Sequence, residues 1–404
     1  MSNVFEIKPG IFYTGVVDKD LEIFDIIMET KYGTTYNSYL IKDEKIVLFD
    51  TVKDCFKDEF LSNLKEIVDI KDIDYVVVHH TEPDHAGCLK YILDINPNVE
   101  VICTSPAKLY LSDQVNRDFN CTTVKTGDKL NIGSKTLEFI QAPFLHWADT
   151  MFTYIPEDRT LLTCDAFGCH YSEFDAKGID GEGYLESAKL YYDCIVKPYA
   201  KFVLDAVDKV VELKLDFDTI LTSHGPILSQ RPMEQVARYV EWSKTALEEA
   251  NQGEMAIFYL SAYTNTFDMA KKIQQGALSQ DVKVKLYDLE KLSLEEMHTA
   301  VLNAKVVLVG SPTINKTMVK PMWDLFSTID PMANKGTIAG VFGSYGWSGE
   351  GITMAQNLFQ SMGFKVPQEA LKKKFFPSDD TFKECFDYGV EFAQIGRASC
   401  RERV

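Results

Sequence analysis

The densest chemistry in this chain lies in seven residues, His79-His80-Thr81-Glu82-Pro83-Asp84-His85, which hold three imidazoles and two carboxylates. The spacing His80-x-Glu82-x-Asp84-His85 offers four donors of mixed nitrogen and oxygen type, enough to begin a site for two metal ions. The cluster directly follows the apolar, β-branched run Tyr75-Val76-Val77-Val78. It therefore reads as a loop at a strand end, where a rigid scaffold presents ligands. Acidic residues solvate loops and histidines sit satisfied in cores, but neither purpose needs imidazole at this density.

Further donors lie downstream. His146 sits in Pro143-Phe144-Leu145-His146-Trp147-Ala148-Asp149, Asp165 in Thr163-Cys164-Asp165-Ala166-Phe167, and His224 in Thr222-Ser223-His224-Gly225. Each follows a strand-like run or lies close to one. Alone, His146 or His224 reads as a satisfied polar residue; beside the first cluster each becomes a candidate ligand. Imidazoles and carboxylates without a thiolate pair suit iron, manganese or zinc. Glu82, Asp84 and Asp165 can offset most of the charge of two divalent ions, and a bridging carboxylate would set the ions roughly 3.5–4 Å apart.

The elements that must position these residues follow from length and pattern. A chain of 404 residues, 46% hydrophobic and 25% charged, is long enough for two globular domains. The net charge of −18 argues against a nucleic-acid partner, since phosphate binding needs clustered Lys and Arg. It would suit a basic protein partner, and it also serves solubility. No signal peptide and no bilayer-spanning apolar run are visible, so a cytoplasmic location is expected, with no membrane partner. The nine cysteines are scattered, without a C-x-x-C pair. That argues for small core residues in a reducing compartment, and against a disulfide framework or a fused rubredoxin-like carrier.

Residues 1–250 read as β-rich with inserted helices. Ser38–Ile41 and Lys45–Phe49 flank a hairpin turn, Phe56–Val68 has helical spacing, and short strands are expected at 99–103, 136–140, 151–155, 160–163 and 219–222. Tyr184–Leu213 reads as one or two long helices. The segment Leu247–Gly253 is the expected junction. From residue 254 to 394 strands alternate with helices, the βαβ pattern of a doubly wound parallel sheet. Residues 395–404 are basic where the chain is acidic and read as a non-native, adapter-like tail.

Three loops of the second half fall at expected strand ends. Ser261-Ala262-Tyr263-Thr264-Asn265-Thr266 offers hydroxyls and backbone N–H groups at a helix N-terminus, which is an anion site. Without a P-loop lysine, a nucleoside triphosphate is not expected. Gly310-Ser311-Pro312-Thr313-Ile314-Asn315 and Gly343-Ser344-Tyr345-Gly346-Trp347-Ser348-Gly349 follow the third and fourth strands. Tyr345 and Trp347 could pack on a flat ring, and Gly346 and Gly349 allow close backbone approach.

The ligand order His-x-Glu-x-Asp-His followed by His, Asp and His is similar to the metallo-β-lactamase superfamily. Hydrolytic members usually carry His where this chain has Glu82. That substitution, with Leu-His-Trp around His146, Cys-Asp-Ala-Phe-Gly around Asp165, and Gly33-Thr34-Thr35-Tyr36-Asn37-Ser38-Tyr39-Leu40, resembles the flavodiiron proteins over nearly all of residues 1–394. The resemblance implies an N-terminal αββα sandwich, a C-terminal flavodoxin-like sheet, two irons per chain and non-covalent FMN. His80, Glu82 and His146 would hold one iron, Asp84, His85 and His224 the other, with Asp165 bridging. His80, Glu82, Asp84, His85 and Asp165 are the implied catalytic centre; His79 and His170 would stand outside the ligand shell. Ser261, Tyr263, Thr264, Asn265, Thr266, Pro312, Thr313, Asn315, Ser344, Tyr345, Gly346, Trp347 and Gly349 would line the FMN site, although Thr264 stands where glycine is often found. The implied activity is reduction of O2 to water or of NO to N2O. The implied donor is a rubredoxin or reduced coenzyme F420, and the implied assembly a head-to-tail homodimer or a dimer of dimers, with Trp147 at the contact. A zinc-dependent hydrolase carrying a flavodoxin module is the alternative.

Overall fold

The computed structural model describes residues 4–25, 28–173, 179, 181, 183–251, 254–334 and 336–399. They form two compact units that divide in sequence between Lys244 and Thr245.

In the first unit two sheets stack. The first holds β1 (Phe5–Lys8), β2 (Ile11–Tyr13), β3 (Tyr39–Lys42), β4 (Ile46–Phe49), β5 (Tyr75–Val77), β6 (Glu100–Cys103) and β7 (Cys121–Thr123), neighbours in that order. β1 to β4 are antiparallel, and β4 to β7 are parallel. The second holds β8 (Lys129–Asn131), β9 (Thr136–Gln141), β10 (Met151–Ile155), β11 (Thr160–Cys164) and β12 (Thr219–Thr222), antiparallel except for the parallel β11–β12 pair.

Strand alternation explains the layers. On β4, Val47 and Phe49 join Phe139, Ile155 and Leu162 in the core between the sheets, whereas Leu48 faces the outer helices. Those helices are α1 (Lys57–Lys65), α3 (Leu89–Ile95) and α4 (Ser105–Val115); the short α2 (Pro83–Ala86) carries two candidate ligands. Opposite them, α5 (Tyr184–Tyr191), α6 (Ala200–Glu212) and α7 (Pro232–Asn251) contribute buried residues to a second outer core. The result is the expected αββα sandwich.

Two stretches take a more specific form than the sequence pattern gives. The stretch 184–213 is interrupted by a π turn at Tyr192–Val196 and a 3₁₀ turn at Lys197–Tyr199, because Pro198 cannot continue the backbone ladder. The expected junction is partly helix, since Leu247-Glu248-Glu249-Ala250 are good helix formers that prolong α7.

The second unit is a parallel sheet of β13 (Glu254–Tyr259), β14 (Val284–Asp288), β15 (Ala304–Gly310), β16 (Ile338–Tyr345) and β17 (Leu371–Lys374), in spatial order β14-β13-β15-β16-β17. Met255 and Ile257 pack toward α8 (Asn265–Leu278) and α12 (Asp379–Ser399). Ala256 and Phe258 pack toward α9 (Leu294–Leu302), α10 (Lys320–Ser327) and α11 (Glu350–Ser361). This is the doubly wound fold that the alternation predicts. α8 and α12 cross closely: a Cβ at Gly276 would lie 1.9 Å from the Phe386 carbonyl oxygen, and one at Gly389 2.0 Å from that of Ile273. The expected domain end at 394 falls inside α12, where Ile395 still packs against the core and Arg397 donates to the Asp281 carbonyl.

Candidate functional site

The parallel strands of the first unit deliver its donors to one end of the sandwich. His79 and His80 follow β5, Asp84 and His85 ride on α2, His146 sits between β9 and β10, Asp165 follows β11, and His224 follows β12. The loop at His146 is tight: Phe144 N–H donates to the Trp147 carbonyl, and the Leu145–His146 peptide is cis.

Seven side chains converge there in two groups. His80, Glu82, His146 and Asp165 form one, and Asp84, His85 and His224 the other, with ligand atoms inside each group within 4.8 Å of one another. Glu82 Oε2 lies 3.2 Å from His80 Nε2 and 3.1 Å from His146 Nε2. Asp84 Oδ2 lies 3.2 Å from His224 Nε2, and Asp84 Oδ1 3.4 Å from His85 Nε2. Asp165 reaches both groups. Its Oδ2 stands 3.6 Å from His80 Nε2 and 3.7 Å from His146 Nε2, while its Oδ1 stands 3.0 Å from His85 Nε2 and 3.6 Å from His224 Nε2.

His80 Nε2 and Glu82 Oε2 are within hydrogen-bond distance, but several of the other donors are not paired. Both oxygens of Asp84, both nitrogens of His85 and Oδ2 of Asp165 are buried and have no hydrogen-bond partner. Buried polar atoms left so are costly unless something else satisfies them. Converging lone pairs of imidazole and carboxylate are what a hard or borderline divalent cation takes, so the donor set fits two such ions.

Other residues hold the donors in place. Asp149 is buried and lies 3.2 Å from His80 Nδ1, and it also accepts from the Thr81 N–H and hydroxyl at 2.8 and 2.7 Å. A carboxylate only accepts, so Nδ1 carries the proton and Nε2 is free to ligate. The Thr35 carbonyl does the same for His224 Nδ1, at 2.6 Å. The Ser223 hydroxyl donates to Asp165 Oδ1 at 2.8 Å. Charge balance follows this geometry. Burial alone would lower His80, but Asp149 and Glu82 outweigh it and push its pKa up to about 10, so a cation ligated at Nε2 would displace a proton from that nitrogen. Burial would raise Asp165, but His85, His80 and His224 hold it well below the ordinary carboxylate range.

Asp149, Thr35 and Ser223 are not marked as supports by the sequence, although Thr35 lies in a stretch that carries the resemblance and Asp149 and Ser223 lie close to the candidate ligands His146 and His224. Their signal is an oxygen donor within a few residues of a candidate ligand or strand end. His79 stands aside from the ligand groups: its N–H and Nδ1 each lie 2.7 Å from Asp50, and Nε2 lies 2.8 Å from the Thr153 hydroxyl. His170 meets the Thr34 hydroxyl at 2.7 Å, and its ring lies 5.0 Å from that of His224. Tyr191 donates to the Asp165 carbonyl at 3.3 Å, whereas Tyr192 pairs with Ser243.

The second unit gathers its three loops at the C-terminal ends of β13, β15 and β16. Thr264 takes φ +62° and turns the chain into α8. Ser261 Oγ accepts from Phe267 N–H at 3.1 Å, and the buried Thr266 hydroxyl meets Ser344 Oγ at 3.3 Å, tying the first loop to the third. Asn315 also takes positive φ, at +52°, beyond Pro312 and Thr313. Thr313 Oγ1 is buried and has no hydrogen-bond partner. Tyr345 is half-buried, whereas Tyr263 and Trp347 are 83% and 81% exposed. Gly346 lies against Phe375, and Gly349 precedes α11. A helix N-terminus, an unsatisfied buried hydroxyl and exposed aromatic rings together suit a phosphorylated flat cofactor such as FMN.

Residues 34–225 match the family model described as ODP family beta lactamase, and residues 257–389 match that described as flavodoxin. The chain is 39% identical to the flavo-diiron protein FprA2 of Clostridium acetobutylicum over 96% of this chain and 98% of the relative. It is 33% identical to a nitric oxide reductase of Moorella thermoacetica, over 97% and 99% of the two chains. Among solved structures it is similar to rubredoxin oxygen:oxidoreductase of Desulfovibrio gigas, with TM-score 0.68, 28% identity and coverage of 98% and 99%.

Proposed function

The chain belongs to the flavodiiron protein family, and from that premise we propose that it reduces O2 to water, NO to N2O, or both. Under this reading, the second unit would hold FMN as the source of electrons and the first would hold a di-iron centre as the place of reduction. The observation that carries the proposal is Asp165, whose two oxygens face separate donor groups as a bridging carboxylate would. His80, Glu82 and His146 hold one ion in this proposal, and Asp84, His85 and His224 the other. FMN is assigned to Ser261, Tyr263, Thr264, Asn265, Thr266, Pro312, Thr313, Asn315, Ser344, Tyr345, Gly346, Trp347 and Gly349.

Reduced FMN and two ferrous ions together supply the four electrons that O2 needs, or the two that a pair of NO molecules needs. The protein's part is to bind, orient and shield. Asp149 and the Thr35 carbonyl hold Nδ1 of His80 and His224, which leaves Nε2 as the nitrogen that would take an ion. Leu145, Phe167, Val196 and Val203 line a small apolar cavity beside His146 and Asp165. Tyr191 is buried, and its hydroxyl donates to the Asp165 backbone carbonyl.

We propose a separate rubredoxin as electron donor, with reduced coenzyme F420 as the other candidate. A head-to-tail homodimer, or a dimer of dimers, would bring one protomer's flavin to its partner's iron pair, with the partly exposed Trp147 at that contact. No described helix is long and apolar enough to cross a membrane; a cytoplasmic location is proposed.

The test is elemental and flavin analysis of protein made with iron available, joined to anaerobic assays with O2 and NO. Two irons and one FMN per chain are expected, with O2 consumed without peroxide release or NO converted to N2O. Two zincs in an active hydrolase would overturn the reading.

A further inference from the structure

Away from the candidate metal centre, two sulfurs meet at the edge of the first sheet. Cys103 ends β6 and Cys121 begins β7, and their Sγ atoms lie 3.6 Å apart. In the parallel register Val101 stands opposite Cys121, and Cys103 is two residues further on, so both side chains share one face. All eight described cysteines are thiols. Cys103 is buried, whereas Cys121 is half-exposed and within reach of a small solute.

We propose that Cys103 and Cys121 are a reversible oxidation site, at which a hydroperoxide converts the two thiols into one disulfide across the last two strands of the sheet. Closing the sulfurs from 3.6 Å to a bond of about 2.05 Å needs movement of one strand. Cys103 is the fixed partner. Its neighbour Thr104 caps α4 by accepting from Ala107 N–H at 3.3 Å and donates to the Asp149 carbonyl at 2.8 Å. β7 is the mobile one, because it is an edge strand whose hydrogen-bonded neighbour in the sheet is β6 alone.

The chemistry balances without another reactant. The Cys121 thiolate attacks the distal peroxide oxygen, the O–O bond breaks, and water or an alcohol leaves with a solvent proton. The resulting sulfenic acid is then attacked by the Cys103 sulfur. The S–S bond forms, the S–O bond breaks, and hydroxide takes the Cys103 proton and departs as water. Two electrons pass from the thiol pair to the peroxide. Cys121 suits the attacking role. Its hydrogen bond with Cys103 outweighs partial burial, and with Lys108 holds Cys121 below the ordinary thiol pKa.

The test uses the reduced holoprotein under anaerobic conditions. Hydrogen peroxide is titrated in, remaining thiols are blocked with N-ethylmaleimide, and the protein is digested without reductant for mass spectrometry. The expected result is a peptide pair linked through Cys103 and Cys121, with loss of two of the nine alkylatable thiols and their return on adding dithiothreitol. The exposed Cys55 serves as internal reference and remains alkylated at that dose. In Cys121→Ser no link forms and Cys103 stays reduced; in Cys103→Ser the Cys121 sulfenic acid is trapped by dimedone. Should Cys103→Ser fail to fold, the wild type and Cys121→Ser decide alone. The proposal falls if both thiols survive a dose that oxidises Cys55, or if Cys121 reaches sulfinic acid while Cys103 remains a thiol.

Discussion

The two candidate sites of this chain hold their contents by different means. In the first unit the charged donors are buried, and His80, His224 and Asp165 each have a dedicated support in Asp149, the Thr35 carbonyl and Ser223. In the second unit the candidate flavin loops are set by backbone turns and a few hydroxyl contacts, with Tyr263 and Trp347 largely in solvent. The difference follows from what each must hold. Buried ionisable groups are costly unless paired, so a metal centre must be organised before the ion arrives. A flavin brings its own apolar surface, and its loops need only offer phosphate donors and flat faces.

The largest effect should come from the group shared by both halves of the metal centre. Asp165→Ala removes the only described side chain that faces both donor groups. Iron content should fall from two per chain towards none, with loss of nearly all O2 or NO reduction, while flavin absorbance stays at one per chain. Loss of flavin as well would break the separation drawn here. Glu82→His is expected to impair reduction with FMN still bound, and the same two assays read it.

Next comes a support rather than a ligand. Asp149→Asn keeps the shape but can turn an amide N–H toward His80 Nδ1, which disturbs the tautomer that frees Nε2. Loss of such a partner weakens metal affinity or activity by roughly 10–100-fold. Metal retention against a chelator series measures it. An unchanged retention curve would mean that the ligands do not depend on this carboxylate.

Much of this was legible in the residues. The short β-branched and apolar runs before His79, Asp165 and His224 marked the strands that carry them, and β13, β15 and β16 announced themselves as continuous apolar runs, as buried parallel strands do. β17 was not legible, because Leu371-Lys372-Lys373-Lys374 is an edge strand with polar side chains in solvent and reads as a charged loop. β7 and β8 escaped for the same reason: Cys121-Thr122-Thr123 and Lys129-Leu130-Asn131 are short and mostly exposed. Asp149 and Ser223 escaped as supports because a hydrogen bond spanning many residues leaves no local period. Only the fold brings Asp149 to His80.

On the flavin side the effects should be smaller. Trp347 stands 81% exposed beside Lys316, whose Nζ lies 5.0 Å from the ring centroid. If its face covers the isoalloxazine, Trp347→Ala forfeits about 0.5–1.5 kcal/mol of stacking, up to roughly tenfold in FMN affinity. Fluorescence titration of apoprotein with FMN measures this, and iron content should not move. A hundredfold loss would mean that the second site is as tightly organised around its side chains as the first.

The smallest effect tests whether the first flavin loop stores strain. Thr264 is β-branched yet takes φ +62°, a region disfavoured for such residues by roughly 1–2 kcal/mol. Its hydroxyl only reaches back to the Tyr263 carbonyl at 2.7 Å, so the side chain makes no long-range contact that explains the choice. Glycine would relieve the strain but give the unfolded chain more freedom, an opposing cost of roughly 0.5–1 kcal/mol. Thr264→Gly should therefore raise the stability of the second unit by no more than about 1.5 kcal/mol. Thermal unfolding of apoprotein, followed through the second unit, reads the change. If FMN affinity falls while apoprotein stability rises, the threonine is retained for the ligand. If both rise, the strained turn serves neither, and the loop is held by its backbone alone.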